Sequence, residues 1–67
     1  MKGYVKRDLA VLRFLNEMAG EHLLETVAAS VRLNLRMANA ALTRLRKGQF
    51  VVRTRDRETG DRWSVIR

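Results

Sequence analysis

The chain has 67 residues, a formal net charge of +7 and no cysteine. This length supports one domain at most, so we expect residues 1–67 to fold as a single domain. The absence of cysteine excludes disulfides and thiolate metal sites, and His22 has no suitably spaced carboxylates with which to bind a metal. No apolar run approaches the roughly 20 residues that span a bilayer, and the N-terminus lacks a signal-peptide pattern. We therefore expect a cytoplasmic protein that has no membrane partner.

The positive charge is concentrated in the second half of the chain. Residues 35–67 contain nine lysines and arginines against three acidic residues, whereas residues 1–34 contain five against four. Eight of the nine cations are arginines, whose planar guanidinium suits phosphates and guanine edges. This asymmetry favours a nucleic-acid partner over a generic basic surface.

The first predicted element is an amphipathic helix over residues 8–19, with apolar side chains at three- and four-residue steps. Asp8 is the predicted N-cap, and Gly20 is predicted to end the helix. Leu23 and Leu24 then predict a brief strand.

Two further helices are predicted in the middle of the chain. Thr26 is the candidate N-cap of a short helix over residues 27–31, and Asn34 is the candidate N-cap of a longer helix over residues 35–47. Gly48 is predicted to end the longer helix. Its apolar face contains Leu35, Ala38, Ala41 or Leu42, and Leu45; its other face contains Arg36, Asn39, Ala40 and Thr43.

The last part of the chain predicts a β-hairpin. Residues 50–55 and 62–66 are rich in β-branched and aromatic side chains, and the polar loop over residues 56–61 separates them and contains Gly60. Trp63 is predicted to be buried, because so small a chain needs its large apolar side chains inside.

The segments Thr26–Asn34 and Ala38–Val51 resemble the helix-turn-helix and the wing entry of winged helix-turn-helix regulators, such as the MarR-like and ArsR-like repressors. The resemblance implies an α+β, mainly α fold with three helices and a C-terminal β-hairpin wing. The chain departs from the pattern at Arg32, where the turn between the helices usually contains glycine.

The function that this resemblance implies is sequence-specific binding of double-stranded DNA by a transcriptional regulator, expected to be a repressor. The third helix is expected in the major groove, and the wing on the backbone or in the minor groove. The candidate DNA-binding residues are Arg36, Asn39, Ala40, Thr43, Arg44, Arg46, Lys47, Arg53, Arg55, Arg57 and Arg62. The alternatives are a winged-helix module or inhibitor that binds the proteins of nucleic-acid machinery, and a structure-selective nucleic-acid binder.

Neither catalysis nor a cofactor is expected. Ser30 and Ser64 lack a histidine and a carboxylate at any recognisable spacing, and no glycine-rich phosphate loop is present. No small-molecule substrate is evident either.

A homodimer is expected, because one recognition helix with one wing covers only half of a typical operator. The broad apolar stripe of the first helix, flanked by Val11, Phe14 and Met18, is the predicted interface together with Tyr4 and Val5. The opposing interpretation is that these side chains build the core of a short chain.

Overall fold

The computed structural model describes residues 3–66, which form three helices and a three-stranded antiparallel sheet. In chain order the elements are α1 (Lys6–Glu17), β1 (His22–Leu23), α2 (Leu24–Ser30), α3 (Leu35–Lys47), β2 (Val51–Thr54) and β3 (Arg62–Val65). The predicted α+β architecture, with a C-terminal hairpin after three helices, is confirmed.

Strand β3 lies in the centre of the sheet, between β1 and β2. Arg53 faces Trp63 across the β2–β3 pair, and His22 faces Trp63 across the β1–β3 pair. The short β1 strand therefore ties the loop-side end of β3 to the chain segment that precedes α2. His22 also packs on Phe14, with ring centroids 5.1 Å apart, and its Nε2 lies 2.6 Å from the carbonyl oxygen of Met18.

The core lies where all three helices meet the inner face of the sheet. Its buried side chains come from every element except β1, and they are Val11, Leu15, Val27, Ala41, Leu42, Leu45, Val51 and Trp63. The predicted burial of Trp63 is confirmed, because only 2% of this residue is exposed.

Helices α1 and α2 begin earlier than their sequence signals predict. Val5 is the N-cap of α1, and Asp8 instead occupies the third helical position, where its Oδ2 accepts a hydrogen bond from the Val5 amide at 3.3 Å. The N-cap of α2 is Leu23, three residues before the predicted Thr26. The side chain of Asp8 is buried and bonded to Arg44, and Leu23 is paired with Arg62 in the sheet.

The third helix spans the predicted residues, and Asn34 caps it through a hydrogen bond of 2.8 Å from the Met37 amide to Oδ1. Leu35 is half exposed instead of facing the core, because it lies at the end of the helix beyond Ala38, the nearest buried residue. Gly48 follows the helix with an ordinary right-handed φ. Glycine is required there for space: a Cβ would overlap the Tyr4 hydroxyl and approach the Phe50 ring to 2.9 Å.

Arg32 adopts a left-handed backbone in the turn between α2 and α3, with φ of 56°. The turn is closed by hydrogen bonds from the amides of Arg32 and Leu33 to the carbonyls of Ala29 and Ala28. A left-handed residue with a Cβ is strained by roughly 1–2 kcal/mol, which glycine avoids.

Arg32→Gly is therefore expected to raise the free energy of unfolding by about 0.5–1 kcal/mol, since the relief of strain exceeds the extra entropy of glycine in the unfolded chain. Chemical denaturation of both proteins measures the change. Arg32→Ala is the matched control: it keeps the Cβ and should give no gain, and an equal gain in both variants would contradict backbone strain as the cause.

No helix within residues 3–66 combines the length and the apolar character needed to cross a bilayer; α3 has 13 residues.

Candidate functional site

The exposed face of α3 is centred on side chains that recur every three or four residues. Arg36 and Lys47 lie at its two ends and are exposed, and neither forms an ion pair within residues 3–66. The small residues Ala40 and Thr43 lie between them, and the Thr43 hydroxyl donates to the Asn39 carbonyl at 2.8 Å. Helix α3 contains no acidic residue. The result is a shallow central surface with a free cation at each end.

Asn39 lies on one side of this face, in a cleft of about 180 Å³ between α3, α2 and the hairpin. Trp63 forms part of the cleft wall, and two carboxylate residues, Glu25 and Asp61, stand at its edge. Asn39 is exposed, and its amide offers both a donor and an acceptor. The cleft is therefore suited to a polar base edge and unsuited to a phosphate.

Arg44 lies on the other side of the α3 face and is paired with Asp8 of α1. Its Nε lies 3.1 and 3.0 Å from the two carboxylate oxygens of Asp8, and its Nη2 lies 2.6 Å from Oδ1. Asp8 is fully buried, whereas the Arg44 side chain is 46% exposed. The hydrogen bonds from Arg44 hold the pKa of Asp8 below its ordinary value, although burial opposes them. The pair fixes the start of α1 against α3.

Asp8→Ala is expected to lower the free energy of unfolding by about 2 kcal/mol, because it removes charge-assisted hydrogen bonds and the bond to the Val5 amide. Because the pKa of Asp8 is lowered in the folded state, its contribution is complete above the ordinary carboxyl pKa and is lost progressively as the pH falls from that value to the lowered one. Thermal unfolding from pH 7 to pH 3 should show a smaller pH dependence in Asp8→Ala. Wild-type pH dependence in this variant would contradict the assignment.

The wing, which we define as β2, β3 and the loop between them, contains two kinds of arginine. Arg53 lies 3.6 Å from Asp61 and 5.9 Å from the Trp63 ring centroid. Arg62 lies 3.4 Å from Asp56 and 4.0 Å from Glu21. These ion pairs neutralise much of the charge of Arg53 and Arg62 within the domain.

Arg55 and Arg57, by contrast, are exposed and have no acidic partner within the described residues. The acidic residue nearest to them in sequence, Asp56, uses its Oδ1 to accept from the amides of Glu58 at 2.9 Å and Thr59 at 3.3 Å. Those bonds lower the pKa of Asp56 and shape the wing turn. The wing therefore presents Arg55 and Arg57 to solvent. Arg46, near the end of α3, is exposed in the same way.

The apolar stripe of α1 faces the core for most of its length. Val11 and Leu15 are fully buried, and Phe14 is partly buried against the core. Leu9 and Met18 remain exposed, at 41% and 54%, as does Val5 in front of the helix. Most of the stripe is therefore used inside one chain, and a smaller apolar set remains for a partner.

Comparison with known proteins shows the fold of the chain, and it does not show membership of a particular protein family. No protein-family profile matches the sequence, and no similar curated protein was found. The Zalpha domain of Carassius auratus PKZ, solved in complex with Z-DNA, superposes with a TM-score of 0.78 at 20% identity, over 91% of this chain and 94% of that one.

A second similar structure is the homodimeric winged helix-turn-helix DNA-binding domain of a possible ArsR-family transcriptional regulator from Mycobacterium bovis. It superposes with a TM-score of 0.75 at 30% identity, over 88% of this chain. The match spans about half, 52%, of that longer fragment. The order of the elements, the hairpin and both superpositions show that the chain has the winged helix-turn-helix fold.

Proposed function

We propose that the protein binds double-stranded DNA without catalysing a reaction, with α3 in the major groove and the wing along the backbone or in the minor groove. The observation that supports this most directly is the charge of the exposed α3 face. Arg36 and Lys47 are free cations there, and small side chains between them allow a close approach to base edges. A major groove of B-DNA is wide enough to admit such a helix.

The distribution of acidic residues supports the same orientation. Within residues 3–66 the acidic side chains lie in α1, in the segment from Glu21 to Glu25, and in the wing loop, and none lies in α3 or β2. In the wing loop, Asp56 and Asp61 are paired with arginines. A duplex laid along α3 and β2 would therefore meet mainly positive charge.

The role that fits this activity is transcriptional regulation, by repression, on a symmetric operator. The Mycobacterium bovis domain is described as homodimeric, and a dimer of this chain would place two α3 helices on two half-sites. Val5, Leu9 and Met18 are the exposed apolar residues that the N-terminal segment and α1 offer for such an interface. Sedimentation equilibrium, without and with a duplex, tests the dimer: one protein per duplex would contradict it.

A second candidate is structure-selective binding of left-handed DNA. The superposition on the Carassius auratus domain, which was solved with Z-DNA, covers 91% of this chain and 94% of that one. The exposed amide of Asn39 lies in a cleft beside the buried Trp63, where it offers a polar contact to a nucleic acid of unusual shape.

Electrophoretic titration distinguishes these functions. The protein is titrated with a duplex selected from a random pool, a scrambled duplex and an alternating dC–dG duplex, each at two salt concentrations. Preference for the selected duplex supports operator binding, whereas inversion of the circular dichroism of the dC–dG duplex supports the second candidate. Absence of binding to all three would contradict both, and would favour a protein-interaction module.

The wing arginines should differ in their contribution to binding. Arg55→Ala with Arg57→Ala is expected to weaken binding to every duplex similarly and to reduce the slope of log affinity against log salt by up to about 1.8, if each contacts one phosphate. Arg53→Ala is the matched comparison and should change the slope less, because Asp61 already pairs with that charge. A wild-type slope in the double variant would limit the wing to a structural role.

A further inference from the structure

A groove of about 460 Å³ lies between the N-terminal segment and α3, on the opposite side of the exposed α3 face from the Asn39 cleft. Three of the residues that line it are arginines and none is acidic. The groove is formed by Gly3, Val5 and Arg7 on one side, and by Arg36, Met37, Ala40 and Arg44 on the other.

The Asp8–Arg44 pair determines which part of Arg44 faces outward. Asp8 contacts the edge of the guanidinium formed by Nε and Nη2. A guanidinium has five N–H donors in a fixed plane, so the edge formed by Nη1 and Nη2 keeps donors for a second acceptor. Because Asp8 is buried and Arg44 is half exposed, the free edge lies at the surface of the groove.

The two flanks of the α3 face differ in charge. Glu25 and the paired Asp61 border the Asn39 cleft, whereas Arg7, Arg36 and the paired Arg44 line the groove. Arg7 and Arg36 have no ion pair within the described residues, so an anionic group beside α3 is favoured on the second flank. Planar guanidinium groups from two helices are also the donors that recognise a phosphate most effectively.

We propose that this groove binds one backbone phosphate of the DNA duplex, held by Arg7 and Arg44, with Asp8 as the positioning residue for Arg44. The inference rests on the proposed function and adds a contact from α1, outside the helix-turn-helix and the wing. The residues around Arg7 in the sequence do not predict that this side chain contacts DNA. The N-terminal segment thereby lies against the duplex backbone when α3 occupies the groove of the DNA.

Arg7→Ala and Arg13→Ala form a matched pair for the test. Both residues are exposed arginines of α1, and Arg13 lies away from the groove, 3.1 Å from Glu17. Duplex affinity is measured for the wild type and both variants over a range of salt concentrations. Arg7→Ala is expected to weaken binding about tenfold and to reduce the salt slope by about 0.9, the value for one phosphate. Arg13→Ala should change neither quantity.

Equal effects of the two variants would overturn the proposal while leaving duplex binding intact. Absence of wild-type binding would instead remove the proposed function.

The Nε–H resonance of Arg44 provides a second readout at the site. The duplex is expected to shift this resonance in the wild type and to shift it less in Arg7→Ala. Inorganic phosphate alone serves as the comparison, since a free phosphate has the same chemistry as the backbone group. Saturation by micromolar inorganic phosphate would identify a site for a small phosphate ligand and overturn the assignment to DNA, whereas a shift that requires the duplex supports it.

Discussion

Trp63→Ala is expected to leave the protein largely unfolded near physiological temperature. Trp63 is 2% exposed and packs in a core shared by all three helices and the hairpin. Removal of a buried aromatic side chain costs about 3–5 kcal/mol. A protein of this length has a total stability of only about 3–10 kcal/mol, at roughly 0.05–0.15 kcal/mol per residue. The loss is therefore a large fraction of the total stability, from about a third to all of it.

Urea denaturation followed by far-ultraviolet circular dichroism measures this effect, since Trp63 is the single tryptophan and its fluorescence disappears in the variant. Val52→Ala is the control: Val52 lies in the adjacent strand but is 43% exposed, so its replacement should change stability by less than about 0.5 kcal/mol. A cooperative transition of Trp63→Ala at the wild-type urea midpoint would show that the tryptophan does not support the core.

Arg36→Ala and Asn39→Ala are each expected to weaken binding to the preferred duplex by about 1–3 kcal/mol and to relax discrimination at one base pair. Arginine pairs with two acceptors of guanine, and asparagine pairs with the donor and acceptor of adenine. Both side chains are exposed on α3, and Arg36 has no ion pair within the described residues. Their replacement should therefore leave the fold unchanged.

Competition between the preferred duplex and single-base variants measures the effect. The specificity ratio separates a base contact from a phosphate contact, because loss of a phosphate contact weakens all duplexes alike. Thermal unfolding of each variant confirms that the fold is retained. Unchanged affinity in both variants would remove α3 from the interface.

Local sequence signals were sufficient for the parts of the fold that depend on neighbouring residues. The cap at Asn34, the apolar spacing of α3 and the alternation of residues 50–55 each act within a few positions, and the structure agrees with the resulting helix and hairpin. The same signals placed Asp8 and Thr26 at helix ends where Val5 and Leu23 stand instead. Asp8 suits a cap but is held instead by Arg44, 36 residues away, and the early start of α2 places Thr26 inside the helix.

The sequence by itself determined the fold class, the burial of Trp63 and the basic second half of the chain, because periodicity and composition are properties of the linear order. Only the tertiary structure decided which cations are free. Arg44 lies 36 residues from Asp8, and Arg53 meets Asp61 only after the hairpin closes. The juxtaposition of Arg7 with Arg36 and Arg44 likewise requires α1 to pack against α3. Ion pairing depends on distances of a few ångströms between side chains, and those distances are set by packing rather than by separation along the chain.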